Sequence, residues 1–463
     1  MKFFKLFPLF ILFVSTVSVS YAQVQYTMPT EDQLHEGTWL QWPHQYEYGL
    51  NYRNRLDSTW IAMTQALVTS EKVHIIAYNG SEQNRIINLL SGAGVSLSNI
   101  DFYLFETNDV WIRDSGPVFV NDSIGNLLIE DWGFNGWGGK FNSSLCDVIP
   151  DSIANHISMP RIDLNNVMTI EGGAVEQDGH GVFLGTKSSM LSQSPANTVR
   201  NPGMTQLQAE NILTQYLGVT KFIWLNGLTG HGDITDMHVD GFAKFLNDTT
   251  IVTMNDNDLN YWYLPAADIL TLHNATNLNN HPYHLIYLPL TANNVVTTYG
   301  AHLGYKGDYI NYYVANTVVL VPNYNDANDA VANNLIQSLY PGRTVIGIDV
   351  RNLYANGGMV HCVTQQQPLS VSTGNIFPQP SNLKILFAPN PFTDYSTLYY
   401  DLGNDNEANL VIRNMLGQIV FTSSLQNQNG QVQIGDELPA GVYFGQIESH
   451  SSNSKVVRFV KAD

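Results

Sequence analysis

Over residues 26–367 the chain alternates short apolar runs with segments whose apolar residues recur every three or four positions. Runs such as "KVHIIAY" and "TVVLVP" predict buried strands, and segments such as "RLDSTWIAMTQALV" and "DAVANNLIQSLY" predict amphipathic helices. That alternation predicts an α/β domain. Glycine-rich turns recur after the strands, but no exact internal repeat accompanies them. The pattern stops at "PLSVSTGNIFPQPSN", a polar stretch with three prolines and no periodicity, which predicts a linker over 369–382. Beyond it, "KILFAPNPF", "TLYYDL", "ANLVIRN", "QIVFTSSL", "QVQIGDEL" and "GVYFGQIES" are short strands cut by Gly, Asn and Pro turns. They predict a small C-terminal all-β sandwich over 383–463.

The first residues, "MKFFKLFPLFILFVSTVSVSYAQ", carry two lysines, an apolar run broken by Pro8 and the small-residue pattern Ser20-Tyr21-Ala22. This reads as a secretory signal peptide over 1–22. No other segment has the roughly 20 uninterrupted apolar residues that a span needs, so no transmembrane segment is expected in the mature protein. The phrases "APNPF", "NMLGQIV", "LPAGVYFGQI" and "KVVRFVKAD", in that order, resemble the C-terminal sorting domain of the Bacteroidetes type IX secretion system. The resemblance implies that the type IX machinery is a partner and that the protein is secreted or held at the cell surface, via the periplasm. An adhesive β-module is the other reading of 383–463.

Net charge is −19, and −21 once Lys2 and Lys5 leave with the leader. So acidic a chain is a poor partner for nucleic acid or anionic membranes and a favourable one for cationic substrates. The only cysteines are Cys146 and Cys362. They leave one possible disulfide, yet the setting of Cys362 in "GGMVHCVTQQQP" suggests another use.

Four further segments concentrate polar residues in glycine-rich or turn-like surroundings: "TNDVWIRDSGP", "FNGWGGKF", "IEGGAVEQDGHG" and "GHGDITDMHVDGFAKF". Arg113 and Asp114 are expected at the end of an apolar strand, where an Asp also serves as a turn cap. Glu171 ends the apolar run "VMTI", before glycines that let backbone approach closely. His231, Asp233, Asp236, His238 and Asp240 interleave, and extended alternation would put Asp236, His238 and Asp240 on one face. A His/Asp metal site, hence a metallohydrolase, competes here with a general acid/base histidine beside carboxylates that hold a cation. No second His/Asp cluster elsewhere supports the metal.

A thiol, a histidine and several carboxylates on separate loops suit attack on a guanidinium carbon. Paired carboxylates grip the planar cation, and the thiolate is a nucleophile accessible near neutral pH. A binding protein for such cations would need the carboxylates but not Cys362 and His238 together. The ordered set WxRDxGP, WGGK, EGG, DxHVD, YxNxYxAN and GGxxHCxTQQQP resembles the agmatine deiminase and Porphyromonas-type peptidylarginine deiminase family. The resemblance implies a deiminase catalytic domain over 23–368. It implies the guanidine-modifying enzyme fold, a pseudo-fivefold α/β propeller with the site on its axis.

Carried over by position, Cys362 is the nucleophile, His238 the general acid/base, and Asp114 and Asp240 the guanidinium clamp. Glu171 orients the histidine or also meets the substrate, while Trp111, Asn311 and Lys140 are expected among the substrate-binding residues. No metal or other cofactor is implied. The expected partner is a small guanidino substrate or an arginine peptide. The family usually reads DGHVD where this chain has Met237, which an extended site would turn into the core. "DWGFNGWGGKFNSS" offers Lys140 and no arginine to a substrate carboxylate, which favours agmatine or a similar small guanidine. Export favours peptidyl arginine.

Overall fold

The computed structural model describes residues 26–191, 200–230, 232–369, 384–402, 407–414, 418–435, 438–448 and 457–462. The expected signal peptide, His231 and all of the expected linker except residue 369 lie outside the described residues. The chain divides into two compact units, 1–371 and 372–463.

The first unit is α/β. The apolar runs form strands such as Lys72–Ala77 and Val318–Asn323, and the amphipathic segments form the helices Gln45–Leu67 and Asp329–Leu339. Sequence terminators account for the ends of several helices. Thr205 and Gln208 make a capping box at the start of Gln206–Leu217, and Gly218 closes that helix in the left-handed region at φ 76°.

Five open sheets share one plan. A short first strand runs antiparallel to a buried second strand, which pairs in parallel with a third across a helical connection. Val118–Asn121, Leu127–Gly133 and Arg161–Thr169 make one such sheet, with Ile149–Ile157 as the crossover. The sheets that begin at Glu176–Gln177, Ala243–Asn247 and Tyr313–Val314 repeat the plan. In the fifth, Gln365–Pro368 supplies the first strand and His35–Gln41 the second, so the two ends of the unit share a sheet. The repeat escapes sequence comparison because the plan demands only apolar parallel strands and an amphipathic crossover, which many residues satisfy. Leu40, Trp60, Ile75, Val252 and Val319 belong to one buried cluster that runs between several of these sheets.

The second unit, taken by itself, is all-β. Its described strands form a three-stranded and a four-stranded antiparallel sheet over a shared core that includes Phe387, Leu398, Leu410, Ile412, Tyr443 and Phe459.

Candidate active site

Five of the six motifs place their site residue in the segment just before the first strand of one sheet, whereas WGGK follows the second strand Leu127–Gly133. Asp114 precedes Val118–Asn121, Glu171 precedes Glu176–Gln177, and His238 with Asp240 precedes Ala243–Asn247. Asn311 precedes Tyr313–Val314, and Cys362 precedes Gln365–Pro368. Four of these segments are single helical turns: Ile112–Ser115, Gly172–Ala174, Val239–Gly241 and His361–Val363. A one-turn helix ends before its backbone donors are satisfied, so side chains and neighbouring turns supply the partners. Asp114 therefore does not end a strand as expected; it sits within the turn Ile112–Ser115.

The turns bring five side chains together. His238 Nε2 is 2.9 Å from Glu171 Oε2, and its Nδ1 faces Asp114 Oδ1 at 3.5 Å. Asp114 accepts from Trp137 Nε1 at 2.8 Å and from Gly173 N at 3.1 Å. The Cys362 thiol is 4.0 Å from Asp240 Oδ2 and 3.5 Å from Asn311 Oδ1, and Asn311 also receives the His361 backbone N–H at 3.0 Å. Asp114, Glu171, His238 and Asp240 are buried, while Cys362 is partly open to a cavity of about 470 Å³ lined also by Trp111, Asp114 and Trp137.

Gly173 makes the convergence possible. A Cβ there would lie 2.6 Å from His238 Nδ1, 2.9 Å from Asp114 Oδ1 and 3.0 Å from Asp240 Oδ2, so these groups can pack together only because residue 173 has no side chain. Gly173→Ala is expected to keep the fold, by circular dichroism, while kcat/KM falls about a hundredfold, close to 2.7 kcal/mol. Activity within threefold of the parent chain would place the reacting centre elsewhere.

The charges sort the groups. Burial disfavours the His238 imidazolium, but Asp114, Glu171 and Asp240 outweigh it and lift the pKa to about 9. Burial also works against ionised Glu171, yet Arg200 and His238 hold its carboxyl below the usual range. Burial and the neighbouring Asp240 and Glu171 push Asp114 up, although His238 opposes them. Asp240 stays low despite its burial, because His361 donates to it. The Cys362 thiol is pushed well up by burial and by the charges of Asp240 and Asp114.

Several expectations need correction. Residues 236–240 are not extended: Asp236 and Met237 take φ of 59° and 71°, and Val239–Gly241 is a helical turn. Asp236 therefore leaves the face of His238 and Asp240 and pairs with Arg200 and Lys140, so the three do not converge as a metal-ligand set. Met237 is nonetheless buried in the main core, in the left-handed conformation that glycine adopts without cost. Lys140 donates to Ile234 O at 2.5 Å and to Asp236 at 2.7 Å and does not line the cavity of Cys362. Cys146 and Cys362 are both free thiols, with Cys146 buried.

Arg200 was missed. Buried, it donates to both oxygens of Glu171 at 2.9 Å, and nothing in its local sequence marks it. Trp137 and His361 lie inside motifs that the sequence singles out, but only their contacts with Asp114 and Asp240 give them a place in the site.

A buried imidazole and three carboxylates gathered around a thiol, on a chain of this fold, define a hydrolase acting on amidines. The chain belongs to the Porphyromonas-type peptidyl-arginine deiminase family, whose profile matches residues 27–368. Residues 386–462 match the secretion system C-terminal sorting domain, in agreement with the type IX resemblance. Among curated relatives, the agmatine deiminase of Pseudomonas aeruginosa strain UCBPP-PA14 is 29% identical over 367 residues, which cover 74% of this chain and 95% of that protein. The agmatine deiminase of Stutzerimonas stutzeri is 30% identical over 377 residues, covering 77% and 99%. Among solved structures, the agmatine deiminase of Enterococcus faecalis matches with a TM-score of 0.64 at 24% identity, over 75% of this chain and 97% of that one. That of C. jejuni matches with a TM-score of 0.62 at 23% identity, over 75% and 98%. The family's α/β fold is thereby this chain's fold. None of the chain's described helices is long and apolar enough to cross a membrane.

Proposed function

We propose that this chain is a guanidine deiminase that works through Cys362, with agmatine or a similar small guanidine as substrate. The observation that carries the reading is the cavity of about 470 Å³ onto which Asp114 and the Cys362 thiol open, with His238 and Asp240 packed directly against them. A guanidinium held there by Asp114 and Asp240 brings a positive charge to a thiol that these carboxylates otherwise keep protonated, and so favours the thiolate.

The thiolate attacks the guanidinium carbon and forms a C–S bond. His238, protonated at neutral pH, gives its proton to one nitrogen; the C–N bond breaks and ammonia leaves. Neutral His238 then takes a proton from water, and the hydroxide adds to the carbon of the amidino-thioether. The C–S bond breaks, and a ureido product and the thiol side chain are released. Glu171, held by Arg200, keeps the His238 ring in place for both transfers. Asn311 beside the thiol and Trp111 in the cavity wall complete the pocket in this reading.

The five sheets of one plan, each offering its leading segment to the same place, support a pseudo-fivefold propeller with the site on its axis. The domain proposal follows: a signal peptide over 1–22, a catalytic domain over 23–368, a linker over 369–382 and a sorting domain over 383–463 that delivers the enzyme through the periplasm to the surface or the medium.

The small guanidine is favoured because, among the described residues, the cavity is lined by Glu47, Asp109, Asp114 and Asp233 and by no lysine or arginine. A substrate carboxylate finds no cation there, whereas an amine-ended substrate suits the acidic wall. The sorting domain favours the second reading, a secreted deiminase that makes citrulline in proteins or peptides. Steady-state assay of ureido product separates the two. Agmatine is expected to give the higher kcat/KM, and a value at least tenfold higher for a peptide ending in arginine would reverse the choice.

A further inference from the structure

Next to the nucleophile stands a second histidine. His361 is buried, and each ring nitrogen meets a carboxylate: Nδ1 lies 2.8 Å from Asp240 Oδ2 and Nε2 lies 2.7 Å from Glu31 Oε2. Glu31 comes from the arm before the strand His35–Gln41, far from the site in sequence. Its Oε1 accepts from Val314 N at 2.8 Å and faces Lys244 Nζ at 3.1 Å, and its Oε2 also receives Arg113 at 3.3 Å. Arg113 in turn donates to His361 O at 3.3 Å. Lys244 also faces Glu176 at 3.5 Å. Glu31 is held well below the usual carboxylate range: burial opposes its ionisation, and Lys244, His361 and Arg113 more than offset that.

An ionised carboxylate only accepts hydrogen bonds, and a neutral imidazole has one N–H. Two carboxylates on opposite edges of one ring therefore require both nitrogens to donate. We propose that Glu31 and His361 are positioning residues: Glu31 keeps the His361 ring doubly protonated, and the ring holds the Asp240 carboxylate against the Cys362 thiol. The alternating charges, Glu31 negative, His361 positive and Asp240 negative, also moderate the repulsion among Asp240, Asp114 and Glu171 in one small space. In its effect on turnover this proposal rests on the guanidinium reading of the cavity.

Glu31 and His361 also line a second cavity, of about 300 Å³, together with Lys244, Glu176 and Asp178. A small carboxylate can therefore reach the place that a truncated Glu31 would vacate. Glu31→Ala in the full chain is expected to lower kcat/KM for agmatine at least 30-fold, with the larger part in KM, and formate is expected to restore it severalfold. Formate should leave the parent enzyme unchanged. His361→Leu is expected to lose at least a hundredfold, and His361→Asn, which keeps a donor toward Asp240 but no charge, is expected to fall between that loss and the loss in Glu31→Ala. Unchanged activity in Glu31→Ala would overturn the proposal, and so would a loss that formate does not repair, because a merely structural residue behaves that way. Ring ¹⁵N NMR of labelled histidine reads the same point without turnover: the signature of a doubly protonated His361 is expected in the parent chain and absent from Glu31→Ala. A neutral His361 in the parent overturns the proposal. A doubly protonated His361 in a chain that turns over neither agmatine nor arginine peptide would instead bring down the deiminase reading.

Discussion

Cys362→Ser is expected to lower kcat by on the order of 10³-fold or more, the scale seen when a nucleophile is removed from an otherwise intact site. A serine hydroxyl ionises far less readily than a thiol, and the site is hostile even to the thiolate. Burial and the charges of Asp240 and Asp114 already push the Cys362 thiol well up. Only the arriving cation relieves that penalty, and for a hydroxyl the relief falls short. Binding is a separate matter, because the carboxylates that face the guanidinium are untouched. Calorimetry with agmatine on the serine variant should therefore still detect binding. Retention of more than a tenth of the parent kcat would remove Cys362 from its proposed role.

Asp114→Asn and Asp240→Asn are expected to lose at least 30-fold in kcat/KM each, since removing one member of a buried charge pair costs on the order of 2–5 kcal/mol. For Asp114 the pH profile adds a direction. Its charge raises the pKa of both His238 and Cys362. His238 must be protonated to expel ammonia, so taking that charge away lowers the pKa that sets the alkaline limb. The thiol ionises at lower pH as well, and the acid limb follows. Both limbs of the kcat/KM profile should move to lower pH in Asp114→Asn. The new amide also turns a donor toward Trp137 Nε1 or Gly173 N, which Asp114 now accepts at 2.8 and 3.1 Å. Near-normal kcat/KM in either variant would place the clamp on other residues.

Asp114, Glu171, His238, Asp240 and Cys362 were legible because each stands in a short motif whose order along the chain is distinctive. Arg200 was not: its ion pairs with Glu171 and Asp236 are made 29 and 36 residues away along the chain, and its neighbours form no motif. Lys140 was misplaced for the converse reason. A lysine that follows the glycines of WGGK reads as a substrate contact, but Asp236, turned out of line by left-handed backbone at 236 and 237, takes it up.

By itself the sequence determined the α/β character of 26–367, the all-β character of the C-terminal part and the chemical inventory of the site. Apolar periodicity is local, and a thiol with an imidazole and carboxylates names a chemistry wherever the residues meet. Tertiary structure alone decided that they do meet. Five sheets of one plan place the segment before each first strand in the same region, and no local pattern encodes that convergence. It also decided which of these side chains meet, because Arg200 on Glu171, His361 on Asp240 and Glu31 on His361 are all pairings between segments remote in sequence. Burial makes those pairings matter, since in the low-dielectric interior an unpaired carboxylate would take up a proton and could not hold a cation.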